Sequence, residues 1–241
     1  MDDGYTNMCP IKHPLLIDNG LNIQAIFNLP DLPEEIITAI TSKASDISHF
    51  KQLIVFGHGG KQMWEKTQQS TFAKLADPID NFSSDIVRHY FASACNDNTY
   101  TILYPNGADT IPLQKLGELV GWHHAAPFKV GINAFWGSWF AYRVVVLADT
   151  SLEPTPHITA PSPCDSCKEK ACISACPASA FNETDASFET CVNYRLSTSS
   201  PCKTQCLARL ACPIASEHRY TTEQINYHYT RSMQTIEEYS T

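Results

Sequence analysis

Apolar residues follow two rhythms before about residue 150 and lose both after it. In PEEIITAITSKASDI (33–47), Ile36, Ile37, Ile40, Ala44 and Ile47 recur at three- and four-residue intervals, which gathers them on one helix face. Pro33 at the start, with Glu34 and Glu35 behind it, suits the positive end of the helix dipole. KQLIVFGHGG (51–60) is a continuous apolar run closing in glycines and predicts a short buried strand ending in a turn. Residues 81–95 predict a second helix, with Ile86, Val87, Tyr90 and Phe91 on its apolar side. TYTILYP (99–105) alternates like a strand, and PLQKLGELVGW (112–122) predicts a third helix headed by Pro112. WFAYRVVVLAD (139–149), rich in β-branched and aromatic residues, is the strongest strand of the chain. Helices and strands alternate, so residues 1–155 predict an α+β domain of α/β type.

Beyond it the texture changes. SLEPTPHITAPSP (151–163) carries four prolines without periodicity and reads as an extended linker. Residues 156–216 form a second module dominated by cysteine, with short helices between the cysteines. The tail, 217–241, contains TTEQINYHYTRSMQTIEEY, a predicted helix expected to pack back on the first domain.

Composition narrows the possibilities. Hydrophobic residues make up 43% and charged residues 17%, enough apolar material for a real core. The absence of a long apolar run argues against a membrane span. MDDGYTNMCP lacks the apolar stretch of a secretory signal, so a cytoplasmic location is expected. The net charge of −8 and the lack of a Lys/Arg block disfavour broad nucleic-acid binding and leave room only for a small local contact, such as one with tRNA.

Eight of the ten cysteines fall in the last third: Cys164, Cys167, Cys172, Cys176, Cys191, Cys202, Cys206 and Cys212. A reducing compartment points them at metal rather than at each other. Structural zinc is the rival to iron–sulfur; the single Cys-x2-Cys pair suits zinc poorly, and zinc does not explain why both groups end in Cys-Pro. The pattern resembles the two-cluster bacterial ferredoxin module, in which three thiolates of a run hold one 4Fe-4S cube and the cysteine before the proline goes to the other. That resemblance implies two 4Fe-4S clusters. One takes Cys164, Cys167, Cys172 and Cys212, and the other takes Cys176, Cys191, Cys202 and Cys206. Here four residues separate Cys167 from Cys172, where the family run has two.

Residues 121–154, GWHHAAPFKVGINAFWGSWFAYRVVVLADTSLEP, resemble a segment of the epoxyqueuosine reductases, cobalamin-dependent tRNA-modifying enzymes. They resemble equally a segment of the cobalamin-processing enzymes linked to methylmalonic aciduria; reductive dehalogenases belong to the same broad group. Gly121, Trp122, Gly137, Ser138, Trp139, Phe140, Arg143, Val145, Val146 and Leu147 carry the match. The tail RYTTEQINYHY (219–229) is similar to that of the cobalamin-processing enzymes, and CVNYRL (191–196) to a stretch of the epoxyqueuosine reductases. The resemblance spans roughly residues 100–230. It implies a nitroreductase-like domain holding cobalamin base-off, fed with electrons by the cubes to reduce a corrinoid. The physiological donor would be of the flavodoxin or ferredoxin kind. Two alternatives stay open: an epoxyqueuosine reductase-like enzyme acting on a small or tRNA-borne substrate, and a ferredoxin-like carrier without corrinoid. The chain ends at Thr241 without the C-terminal helical repeats of the epoxyqueuosine reductases, which favours corrinoid processing.

Individual residues carry paired readings. Asp109 in GADTIP (107–112) is either a turn former or, by the resemblance, the acid that protonates substrate. Trp136, Trp139 and Phe140 either wall the macrocycle or fill core, with Gly137 and Ser138 permitting close approach to the backbone. Tyr104 and Tyr142 are further candidates for the cavity. Arg143 pairs with a corrin group or with a structural anion. His58 reads as part of a glycine turn or as a ligand. Of His123 and His124, one is expected buried and satisfied and the other solvated.

Overall fold

The computed structural model describes residues 8–44, 46–105, 111–182 and 184–239. In chain order the elements are α1 (Pro14–Asp18), β1 (Ile23–Asn28), α2 (Glu34–Thr41), β2 (Gln52–Gly59), α3 (Gln62–Gln69), α4 (Pro78–Ala94), β3 (Tyr100–Tyr104) and α5 (Leu113–Leu119). They continue with β4 (His124–Ala125), β5 (Gly131–Ile132), β6 (Phe140–Ala148), α6 (Pro163–Ser166), α7 (Ala171–Ser174), α8 (Phe188–Leu196), α9 (Leu207–Ala211) and α10 (Thr222–Tyr239). The chain divides into two compact units, one of residues up to 123 together with 140–160, the other of 124–139 together with 161 onward.

The first unit is built on a four-stranded sheet in the order β1-β2-β6-β3, antiparallel at every pairing. Alternating helices and strands suggest parallel units, but β6 comes last in the chain and inserts between β2 and β3. All eight residues of β2 are buried, and β6 is nearly as enclosed, which is why both read as continuous apolar runs. α4 lies against β6 and buries Ile79, Phe82, Ile86, Val87, Tyr90 and Phe91. A fully buried side chain of this size contributes roughly 1.5–3 kcal/mol.

Several boundaries shift from expectation. α2 stops at Thr41, short of Ile47, because Thr41 Oγ1 and Ser42 Oγ turn back onto the carbonyls of Ile37 and Ala39 (3.0 and 2.8 Å). α4 begins three residues earlier than the periodicity implied, at Pro78, where the missing N–H costs nothing. β1 and α3 had no clear signal: Gln24 and Asn28 interrupt the apolar run of β1, and α3 offers its core only Met63, Trp64 and Thr67. The proline-rich stretch after Ala148 is extended, as its composition implied, but it is fastened. Thr155 N donates to the Ile26 carbonyl (2.9 Å), and the Thr155 hydroxyl accepts from Ile26 N (2.9 Å). Ile158 N donates to the Val120 carbonyl (3.1 Å), and a side chain at Gly121 would strike the Ile158 carbonyl.

In the second unit α10 packs on α8 and on the 3-10 turn Pro201–Lys203, burying Gln224, Ile225 and Met233. One core cluster joins Ala126, Phe128, Ile132, Cys172, Ala208 and Cys212, and another joins Trp139, Tyr220 and Ile225. Residues 124–139 thus supply Phe128, Ile132 and Trp139 to these clusters, beside Ile173, Phe181, Leu210 and Ile214 of the cysteine-rich stretch. No helix among the described residues is long and apolar enough to cross a membrane.

Candidate functional site

The cysteine loops of the second unit start twice in the same way. Ser162-Pro163-Cys164 opens α6, with Ser162 Oγ accepting from Cys164 N at 3.2 Å. Ser200-Pro201-Cys202 opens the 3-10 turn, with Ser200 Oγ accepting from Cys202 N at 3.2 Å. In both, a serine cap and a proline with preset φ fix the direction of the cysteine behind them.

The thiols sort into two sets through their mutual repulsion. Burial raises the Cys164 thiol, and Cys212 and Cys167 raise it further. Burial also raises Cys172, helped by Cys212, Cys164 and Cys167, while Cys212 is raised by burial and by Cys167. Cys191 is raised by burial and then by Cys206, Cys176 and Cys202, and Cys202 by burial, Cys206 and Cys176. The first set is therefore Cys164, Cys167, Cys172 and Cys212, and the second is Cys176, Cys191, Cys202 and Cys206. Each cysteine that precedes a proline stands with the set of the other run. All ten cysteines are unbridged. Among the described residues, no three His, Cys, Asp or Glu side chains converge tightly enough to hold a single ion. A cavity of about 230 Å³ is lined by all four thiols of the second set.

Around that cavity stand residues to which sequence reasoning assigned no role. Arg195 is 8% exposed and donates to the Cys202 carbonyl (3.1 Å), the Ser232 hydroxyl (3.0 Å) and the Tyr229 carbonyl (3.1 Å). Arg209, also 8% exposed, donates to Ser138 Oγ (3.4 Å) and to its carbonyl, and lies over the rings of Trp139 (4.5 Å) and Tyr220 (5.1 Å). The Tyr229 hydroxyl meets both Arg209 and Cys206; burial pushes its pKa up to about 12, against the pull of Arg209. A buried arginine in a cysteine module is itself a signal, but only the fold shows what it faces.

Four residues expected at a corrin lie in the second unit. Trp139 is fully buried between Arg209 and Tyr220, and Ser138 is fully buried beneath the same arginine. Gly137 has φ +58°, and a side chain there would strike the Ile214 carbonyl, so close packing already accounts for this glycine. Trp136 packs on Phe135 and His218, with ring centroids 4.8 and 4.5 Å away.

Tyr104, Phe140 and Arg143 lie in the first unit. Arg143 Nε donates to Nδ1 of His58 (3.0 Å), a fully buried residue of β2 and not part of a turn. Nδ1 accepts, so His58 is neutral with its proton on Nε2. Burial raises the Tyr104 hydroxyl, while the Arg143 charge opposes the rise. Phe140 meets His123 and Tyr142 edge-on, and the Tyr142 hydroxyl lies 3.3 Å from His123 Nδ1. His123 is 8% exposed and His124 half-buried. Asp109 lies outside the described residues.

No protein-family model matches the chain. No curated protein matches it. Among solved structures it is similar to epoxyqueuosine reductase in complex with an epoxyqueuosine-modified tRNA-Tyr stem loop: TM-score 0.54, 13% identity, 90% of this chain and 68% of that one. Epoxyqueuosine reductase from Bacillus subtilis gives a TM-score of 0.52 at 13% identity, over 88% of this chain and 67% of that one. A catabolic reductive dehalogenase, NpRdhA, gives 0.49 at 12% identity, over 90% of this chain and 32% of that one. The chain spans 64 to 68% of the length of the epoxyqueuosine reductase structures. At these identities the common property is the fold, shared by this chain and the epoxyqueuosine reductases.

Proposed function

We propose that this chain is an iron–sulfur, cobalamin-binding reductase that passes electrons through two 4Fe-4S clusters to a corrinoid. The observation that carries the reading is the division of eight thiols into two sets of four, crossed at the two Cys-Pro sites. Cys164, Cys167, Cys172 and Cys212 would hold one cube, and Cys176, Cys191, Cys202 and Cys206 the other. The donor set fits. Each thiolate of a cube ends on a different iron, so the sulfurs need to gather without converging on one point, as tetrahedral zinc would demand. The cavity beside the second set gives a compact inorganic group room.

When bound, the cubes store and pass single electrons, and the corrinoid supplies a strongly reducing cobalt. The chain's own residues bind and shield these groups. The apolar cluster of Ala126, Phe128, Ile132 and Ala208 keeps water from Cys172 and Cys212. Tyr104, Phe140 and Arg143 are the corrin contacts we favour in the first unit, with Arg143 held in place by neutral His58. Asp109 is proposed as the proton donor to substrate. A low-potential carrier of the flavodoxin or ferredoxin kind would supply electrons. The second reading, an epoxyqueuosine reductase-like enzyme acting on a small or tRNA-borne substrate, is favoured by the fold likeness.

Anaerobic quantification of iron, zinc and cobalt, with and without added cobalamin, tests the proposal. The reading predicts iron near eight per chain, since two four-iron cubes are expected, and a base-off spectral change with retained cobalt. An unchanged cobalamin spectrum with no retention would leave an electron carrier without corrinoid, and zinc in place of iron would end the redox reading altogether. Turnover of a tRNA stem loop carrying epoxyqueuosine would select the second reading.

A further inference from the structure

Two buried guanidiniums in the second unit have no carboxylate partner among the described residues. Among the described residues neither Arg195 nor Arg209 forms an ion pair, and every hydrogen bond recorded for Arg195 ends on a neutral oxygen. Neutral acceptors orient a guanidinium without cancelling its charge, and an uncompensated buried charge is costly. Arg195 lines the same cavity as the four thiols of the second set, and its charge acts on Cys191 and Cys202. Tyr229 lines it too, with its hydroxyl between Arg209 and Cys206.

Among the described residues no fully buried arginine acts on the thiols of the first set. Its nearest cations are Lys170, which donates to the Cys164 carbonyl (2.8 Å), and Arg219, which donates to the Leu210 carbonyl (2.8 Å). Both residues are half-buried overall, although the Arg219 Nε is enclosed, so water and salt reach them more than they reach Arg195.

Resting on the iron–sulfur reading above, we infer that Arg195 and the Tyr229 hydroxyl raise the reduction potential of the cube held by Cys176, Cys191, Cys202 and Cys206, making it the higher-potential member of the pair. Reduction adds one electron from an external one-electron carrier to the cube and its four thiolates. It adds one negative charge and needs no proton. Arg195 stabilises that added charge across a medium of low dielectric, where a fixed cation counts for more than in water. Tyr229 donates a hydrogen bond to Cys206 sulfur, which strengthens as electron density there grows. Arg209 holds the tyrosine from the other side and is itself locked by Ser138, Trp139 and Tyr220. These are positioning residues, since they act on the thiolates and not on substrate.

The test is mediated redox titration of the iron-loaded protein under anaerobic conditions, read by electron paramagnetic resonance. The wild type is expected to show two separable midpoints. Arg195→Gln is expected to lower the higher one by about tenfold in the reduction equilibrium constant, about 59 mV for one electron. Tyr229→Phe is expected to lower the same midpoint by less, and Arg195→Lys, which keeps the charge, to restore most of the shift. Full iron loading with the higher midpoint unmoved in both neutral variants would overturn the inference, as would a shift confined to the lower midpoint. If Arg195→Gln fails to load iron, Tyr229→Phe decides by the same criteria, because it removes only an oxygen. Iron-free wild-type protein would instead remove the underlying functional reading, an outcome distinct from loaded protein with unmoved midpoints.

Discussion

Cys172 and Cys176 are four residues apart and belong to different sets. α7 ends at Ser174, before Cys176, and Pro177 bars the helix from resuming, so Cys176 leaves the helical face that carries Cys172. Serine at either position is predicted to remove about half of the iron. Combining Cys176→Ser with Cys202→Ser, within one set, should cost no more than either alone; combining Cys176→Ser with Cys172→Ser should leave almost none. Iron content and paramagnetic resonance report the result, and equal losses from both pairs would sink the crossed assignment. A second prediction concerns Gly117. A side chain there would strike the Tyr142 hydroxyl and the His123 Cβ. Gly117→Ala is therefore expected to destabilise by about 1–3 kcal/mol despite alanine's better helix propensity. Chemical denaturation should show part of that loss recovered in Gly117→Ala with Tyr142→Phe. The two runs of cysteines were legible in the sequence because spacing is local, while their crossed division into sets was implied only by the ferredoxin resemblance. Arg195 and Tyr229 were not, because 34 residues separate them and only packing joins them.

At the scale of elements, α4 and β6 each bury a tyrosine. Tyr142 on β6 is raised far above its ordinary pKa by burial and then by Glu118, and Tyr90 on α4 by burial and then by Cys95. A phenol raised in the folded state is neutral there while its unfolded counterpart ionises. Its contribution to stability is full below the ordinary tyrosine pKa and is lost as pH rises through and beyond that value. Urea midpoints should thus fall on alkaline titration, and Tyr142→Phe should flatten the fall; an equally steep decline in the variant would refute the assignment to β6. The stripe of α2 and the apolar run of β2 were readable from periodicity. The antiparallel pairing was not, because local pattern decides what an element is and says nothing of which strand inserts beside it.

Across the whole molecule, the iron–sulfur reading makes the second unit the part expected to depend most on metal. Its core cluster includes Cys172 and Cys212, with Cys164, Cys176 and Cys206 packed at its edge. Without iron, burial raises the pKa values of Cys164, Cys172 and Cys212, so on the iron–sulfur reading loading would release protons and binding energy would serve as folding energy. Chelation is predicted to expose residues 124–139 and 161–239 to limited proteolysis while the four-stranded sheet stays protected in hydrogen exchange. The iron-free protein should also lose stability as pH climbs past the ordinary thiol range, since Cys164, Cys172, Cys191, Cys202 and Cys212 are all raised when folded. Unchanged protection of the second unit after complete iron removal would contradict this dependence.

By itself the sequence determined where the cysteines stand, their two runs and the texture change near residue 150, because spacing and side-chain chemistry are local properties. It also determined most helices and strands, through periods that any apolar face must obey. Only the tertiary structure decided that residues 124–139 count with the cysteine unit, that β6 lies between β2 and β3, and that His58 is a buried strand residue holding Arg143. It alone brought buried Arg195 and Tyr229, with Arg209 behind the tyrosine, to one set of thiols. The reason is the same in each case: these are long-range contacts, set by which surfaces exclude water together, and a linear pattern specifies faces but not their partners.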